Sequence, residues 1–110
     1  MAAELTLGAE EELHLVDLDS WKLVGRAPQL LSRLPSANYS AEIQRTTVET
    51  NTEVVDSLDG LRSELHRLRR GVIDAAAEDN LGIAAVGTAP SSDFADFELT
   101  ATGRYGRMQE

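Results

Sequence analysis

The sequence predicts an α+β fold, with a mainly antiparallel sheet and one long helix packed on it. Three observations support that class. Apolar residues alternate over positions 5–16, β-branched residues mark a second strand over 41–54, and an amphipathic helix covers 58–79. Strands and helices mixed along 110 residues are typical of a single layer of sheet with helix on one face.

The first strand, over 5–16, has an apolar and a polar face because side chains alternate along a strand. Glu11 falls on the otherwise apolar face, which places it at the edge of the core or in a pair with a basic group such as Arg45 or Arg70. Turn-forming residues at 17–20 and an apolar stretch at 21–24 indicate a hairpin. The polar face carries three groups that can bind a ligand: Glu10, Glu12 and His14.

A short helix and a second strand follow. Pro28 suits a first helical position, which predicts a helix over 28–34 that Pro35 ends, and 36–40 forms a polar connector. In the strand predicted over 41–54, Thr47, Glu49 and Asn51 share one face.

The long helix has the clearest pattern. Asp56 or Ser57 is expected to cap it, and Gly82 is expected to end it in the left-handed conformation. A buried strand over 83–86 completes the order β-β-α-β-α-β, followed by a polar, irregular stretch over 91–103. The apolar stripe of the helix is regular: Leu58, Leu61, Leu65, Leu68 and Val72.

Composition excludes several functions. The formal net charge is −9, with 19 acidic and 10 basic side chains, so no nucleic-acid partner is expected. The absence of cysteine excludes disulfides and a thiol nucleophile, and it agrees with a cytoplasmic location. Neither a signal peptide nor a membrane span is expected, since the chain lacks an apolar leader and any run of about 20 apolar residues.

Paired carboxylates on the first strand are a candidate cation site. Glu10 and Glu12 leave the same face with backbones about 6.5 Å apart, and carboxylates that close repel unless a charge compensates them. Mg²⁺ or Mn²⁺ is the usual compensation because hard cations prefer oxygen ligands. Glu49 joins them only if the two strands are neighbours. A solvated strand face is the alternative for all three, and a surface or hydrogen-bonded role is favoured for His14.

Six motifs occur in series: Thr6-Leu7-Gly8-Ala9-Glu10-Glu11-Glu12; Val16-Asp17 with Arg26-Ala27-Pro28-Gln29-Leu30-Leu31; Glu42 with Val48-Glu49-Thr50-Asn51-Thr52; Leu58-Asp59-Gly60-Leu61-Arg62-Ser63-Glu64-Leu65; Gly87-Thr88-Ala89-Pro90; and Arg104-Tyr105-Gly106-Arg107-Met108. Together they resemble the carboxylate–amine ligase family related to glutamate–cysteine ligase, in particular its bacterial type 2 group. The resemblance covers nearly the whole chain in the right order.

That resemblance implies a function and a site. It implies a glutamine synthetase-like fold and an ATP-dependent ligase that joins a carboxylate to an amine through an acyl phosphate. It also implies that Glu10, Glu12 and Glu49 are metal ligands, with Mg²⁺ (or Mn²⁺) as cofactor and ATP as co-substrate. Glu42 falls in the same acidic second strand. The substrates implied are an amino-acid-like carboxylate and an amine.

The sequence departs from the family pattern in three ways. Ala89 stands where the family usually has His, Arg45-Thr46-Thr47 replaces the usual residues before the second acidic strand, and family members are several times longer. We therefore expect residues 1–110 to be one N-terminal segment, as a fragment or a small subunit. A second chain or self-association at an exposed sheet edge would complete it. The alternative is a non-catalytic binding, regulatory or dimerisation module that retains the ligase fold.

Overall fold

The computed structural model describes residues 5–86, which form a four-stranded antiparallel sheet with one long helix across one face. This confirms the predicted α+β class. The motifs at 87–90 and 104–108 lie outside the described residues. The elements are β1 (Glu10–Asp17), α1 (Ala27–Leu31), β2 (Tyr39–Ala41), β3 (Thr47–Asn51), α2 (Leu58–Ala77) and β4 (Leu81–Ala84).

The strand order β2-β3-β1-β4 brings the two acidic stretches of sequence side by side. In the register of β1 with β3, Glu12 is opposite Glu49 and Leu13 is opposite Val48. In the register of β2 with β3, Ser40 is opposite Glu49. Directly opposed side chains lie on the same face of a sheet, so Glu12 and Glu49 share one face and the leucine–valine pair lies on the other.

The core lies between the leucine–valine face and the helices. Leu13, Leu15 and Val48 are fully buried there, together with Leu68 and Val72 of α2. The predicted stripe of α2 is therefore confirmed in its second half. Its beginning extends past the core, since Leu58 is 76% exposed.

The hairpin predicted after the first strand forms in part. The strand begins at Glu10, and an isolated bridge before it joins Leu7 to Val55. The chain turns at 18–20 as predicted, and the stretch 21–24 runs back antiparallel to β1 through the bridge of Val16 with Leu23 and through hydrogen bonds from the Asp17 N–H to the Lys22 carbonyl and from the Val24 N–H to the Leu15 carbonyl. This second arm is too short to be a strand, because β3 already pairs with β1 as far as His14 on that edge.

The strand predicted over 41–54 is two strands. The chain turns at residues 42–46, so that β2 folds back on β3 with Ala41 opposite Val48. The predicted connector 36–40 accordingly contains the start of β2 at Tyr39. No Gly or Pro marks this turn, and Ile43 and the threonines have strand propensity, so the sequence pattern gave no sign of it.

The boundaries of α2 depend on Ser57 and Asn80. Ser57 caps the helix, its Oγ accepting a hydrogen bond from the Gly60 amide at 3.0 Å. Gly82 does not end it, because Asn80 takes the left-handed conformation (φ 56°) and Gly82 lies inside β4. A Cβ on Gly82 would lie 2.8 Å from Cδ2 of Leu18, so a larger residue there would displace the end of that partly exposed side chain.

One ion pair joins α2 to the sheet and another lies along the helix itself. Glu11 pairs with Arg69, whose Nε donates to Oε1 at 2.8 Å, rather than with either predicted partner. Arg70 pairs with Asp74 one turn away. Within the described residues no helix is both long and apolar enough to cross a membrane.

Candidate metal centre

The face of the sheet opposite the core carries a group of acidic side chains. Glu12 of β1 and Glu49 of β3 lie directly opposite each other. Glu42 comes immediately after β2, where the chain leaves the strand that borders Glu49. The turn at 42–46 thus places a third carboxylate beside a cross-strand pair.

Glu12, Glu42 and Glu49 form the carboxylate triad. One carboxylate oxygen from each lies within 4.8 Å of the other two. Two oxygens bound to the same Mg²⁺ at about 2.1 Å are at most about 4.2 Å apart, so small side-chain movements would let all three bind one ion. Three oxygen ligands with formal negative charge fit a hard divalent cation.

The neighbouring negative charges make the ionised form of Glu12 unfavourable. The pKa of Glu12 is raised from 4.5 to about 7, first by a hydrogen bond with Glu42, then by burial and by the negative charges of Glu42, Glu49 and Glu10. A proton on Glu12 therefore relieves the repulsion near neutral pH. A divalent cation would relieve it in the same place.

The three ligands predicted from the sequence are Glu10, Glu12 and Glu49, and the structure brings together only two of them. Glu10 lies outside the triad, although it raises the pKa of Glu12 and lines the same open cavity of about 420 Å³. That cavity is bounded by Glu10, Glu11, Glu12, Glu49, Ala85 and Val86.

Strand alternation missed Glu42 because this residue lies in the turn and not on a strand face. Only its position in the acidic motif of the resembled family pointed to it. At the end of the β2–β3 pair away from the turn, the side-chain nitrogen of Asn38 donates to the backbone carbonyl of Asn51 at 3.0 Å, and the backbone carbonyl of Asn38 accepts from the Asn51 N–H. These bonds hold β2 against β3.

His14 lies on the same sheet face but is a buried residue. It is 4% exposed, and its Nδ1 is 3.4 Å from the Thr47 hydroxyl oxygen. Its Nε2 has no hydrogen-bond partner among residues 5–86. His14 is therefore not a surface residue, and its contact with the Thr47 hydroxyl is long for a hydrogen bond.

Comparison with known proteins places the chain in a family. The sequence model of "Glutamate-cysteine ligase family 2 (GCS2)" matches residues 6–110. This chain belongs to that family.

Named relatives agree with the assignment to family 2. The chain is 49% identical over 102 residues to "Putative glutamate--cysteine ligase 2-3" of Rhodococcus jostii, with 93% of the chain covered. It is 47% identical over 103 residues to "Putative glutamate--cysteine ligase 2-2" of Mycolicibacterium smegmatis, with 94% covered. It spans only 13% of the first relative's length and 26% of the second's. No solved structure matches the chain.

Proposed function

We propose that this chain is the N-terminal segment of an ATP-dependent carboxylate–amine ligase of the glutamate–cysteine ligase type, and that it holds a catalytic divalent cation. Glu12, Glu42 and Glu49 are the proposed ligands of Mg²⁺ or Mn²⁺, and Glu10 is a fourth carboxylate at the rim. The observation that carries this proposal is the approach of three carboxylate oxygens to within 4.8 Å of one another, on the face of the sheet opposite the core. Membership of family 2 supports the reaction class.

The ion would neutralise phosphate oxygens of ATP and so favour phosphoryl transfer to a substrate carboxylate. The role of this chain would be to bind the cation and to fix its position. The antiparallel pairing of β1 with β3 fixes the positions of Glu12 and Glu49, and the turn after β2 presents Glu42. An amine would then attack the acyl phosphate; glutamate and cysteine are the pair in the relatives' names.

The activity would require more protein than these 110 residues. The relatives extend far beyond the matched region, so residues that bind ATP and the amino acids would be supplied by a longer chain, a second chain or another copy. ATP hydrolysis that depends on both Mg²⁺ and an amino acid, measured on the chain with its completing part, tests the ligase proposal. Cation binding without such hydrolysis would favour the alternative, a non-catalytic binding or regulatory module, which Ala89 also favours.

Cation binding is testable on this chain by Mn²⁺ titration, followed by electron paramagnetic resonance. Glu49→Gln and Glu42→Gln should each weaken Mn²⁺ binding at least about tenfold, equivalent to about 1.4 kcal/mol. The matched control is Asp74→Asn, which removes the same charge from an exposed position on α2.

Two results would contradict the proposed ligand set. If Asp74→Asn weakened Mn²⁺ binding as much as the two glutamine variants do, the loss of affinity would be an effect of net charge and not of a lost ligand. If Glu10→Gln abolished binding while Glu42→Gln left it unchanged, the ligands would be the three that the strand pattern predicts, and the triad would be wrong.

A further inference from the structure

His14 is a buried histidine on the acidic face of the sheet, the one opposite the core, and the proposed ligand set does not use it. Only 4% of His14 is exposed, although Glu12, two residues earlier in β1, is an exposed residue. Its Nε2 has no hydrogen-bond partner among residues 5–86. A buried imidazole nitrogen that has lost water and gained no partner costs free energy. We therefore looked for the group that Nε2 is placed to meet.

The strand register places His14 beside two of the proposed ligands. On the acidic face Glu12 is opposite Glu49, and the next pair along the two strands is His14 with Thr47. Residues two apart in a strand have backbones about 6.5 Å apart on one face. Diagonal neighbours across two strands are about 7–8 Å apart, which is within reach of aromatic side chains. His14 is thus a neighbour of Glu12 along β1 and of Glu49 across to β3.

The imidazole lies outside the triad itself. Neither of its nitrogens belongs to the group of oxygens that lie within 4.8 Å of one another, so His14 is not a fourth ligand in this arrangement. A carboxylate that binds a cation through one oxygen still has a second oxygen that accepts hydrogen bonds. Side chains that bind metal ions are commonly held by such hydrogen bonds, which fix the orientation of the ligand.

The other donors in the adjacent cross-strand pairs already have contacts. On one side of the Glu12–Glu49 pair, the side-chain nitrogen of Asn51 donates to Oγ of Ser40 at 3.5 Å. On the other side, the Thr47 hydroxyl oxygen lies 3.4 Å from Nδ1 of His14. Within the described part of β1 and β3, Nε2 of His14 is therefore the donor in these pairs that lacks an acceptor.

We propose that His14 is a positioning residue of the cation site, and that its Nε2–H donates a hydrogen bond to the oxygen of Glu12 that does not bind the cation. The imidazole proton then lies on Nε2, and Nδ1 accepts from the Thr47 hydroxyl. This contact holds the Glu12 carboxylate in the orientation that binds the ion, and the burial of His14 limits competition from water. The inference rests on the proposed function, because it requires a cation at the triad.

Two substitutions at position 14 separate hydrogen bonding from packing. His14→Leu removes the donor, whereas His14→Gln keeps an N–H donor on a side chain of similar length. In Mn²⁺ titrations of the 110-residue chain followed by electron paramagnetic resonance, affinity should fall about tenfold in His14→Leu and stay within about threefold of the natural chain in His14→Gln. The control is His66→Leu, because His66 is exposed on α2. An equal loss in both variants of His14 would overturn the proposal, since it would leave only a packing role.

Nuclear magnetic resonance of the imidazole nitrogens tests the contact without any substitution, because the chain has only two histidines. His14 should carry its proton on Nε2, and saturating Mg²⁺ should shift that N–H signal and slow its exchange with water, while the signals of His66 stay unchanged. A proton on Nδ1, or a His14 signal that Mg²⁺ leaves unchanged, would overturn this inference alone. If the natural chain bound no Mn²⁺, the proposed cation site would fail and this inference with it.

Discussion

The two faces of the sheet are built from the same strands yet differ in charge and, around Glu12, in exposure. On one face, Leu13 and Val48 are opposed across β1 and β3 and are fully buried under α2. On the other face, Glu12 precedes Leu13 in β1 and Glu49 follows Val48 in β3. These two glutamates are also directly opposed, and they border an open cavity. One face therefore supplies stability and the other concentrates negative charge. A substitution on one face leaves the side chains of the other face in place.

The largest effect is expected on the apolar face. Leu13→Ala removes a fully buried side chain and should lower the free energy of unfolding by about 2–5 kcal/mol, because burial is lost and a cavity remains. Urea denaturation measures this. The matched change is Glu12→Gln at the neighbouring position on the opposite face, which removes repulsion and should not destabilise the cation-free protein. Equal destabilisation by both would remove the distinction between the faces.

A smaller effect is expected where α2 approaches the sheet. The Tyr39 hydroxyl donates to the Leu68 carbonyl at 3.0 Å, and a Cβ on Gly71 would overlap that hydroxyl. Gly71→Ala should therefore cost about 1–3 kcal/mol through overpacking, despite alanine's helix propensity.

Tyr39→Phe separates overpacking from other effects of the alanine. Alone it should cost about 1 kcal/mol through the lost hydrogen bond. In its background the penalty of Gly71→Ala should shrink, because the overlapping oxygen is gone. Strictly additive effects in thermal or urea unfolding would contradict this account of the glycine.

The smallest effect concerns pH and the acidic face. The pKa of Glu12 is about 7 in the folded protein against an ordinary 4.5, so between these values the folded state binds more protons than the unfolded state. Stability should therefore fall as pH rises from about 4.5 to 7. The change should not exceed about 1 kcal/mol, because Glu12 is exposed and water screens the repulsion.

The pH dependence of Glu12→Gln, measured by urea denaturation, isolates this contribution. Groups such as Glu64, whose pKa is lowered to about 2 by Arg67, make stability rise with pH in the acidic range. Both proteins share that contribution, so it cancels in the difference between their free energies of unfolding at each pH. If the two proteins have the same pH profile between 5 and 8, the carboxylates do not interact as the structure indicates.

Periodicity predicted the regular parts of this fold well. The long helix begins at Leu58 as predicted, with Ser57 as one of its two candidate caps, because capping and apolar spacing are local properties. The split of the second predicted strand into β2 and β3 was missed. Nothing local marks the turn at 42–46; antiparallel pairing with β3 decides it.

The candidate site shows the same division. Strand alternation correctly put Glu10 and Glu12 on one face, but it could not show which carboxylates meet. Glu42 joins Glu12 and Glu49 across three separate segments, whereas Glu10 remains at the rim. The distances between those segments depend on strand order and register, which are long-range pairings.

The sequence by itself determined that one sheet face is apolar and the other acidic, that a long amphipathic helix covers the apolar face, and that the motifs resemble a ligase family. Side-chain alternation and helical periodicity are sufficient for that, because they act over a few residues. Only the tertiary structure decided that Glu42 completes the triad and that Leu58, at the start of α2, lies outside the core formed by the described residues. Both outcomes depend on how distant segments pack, and packing is a property of the whole fold.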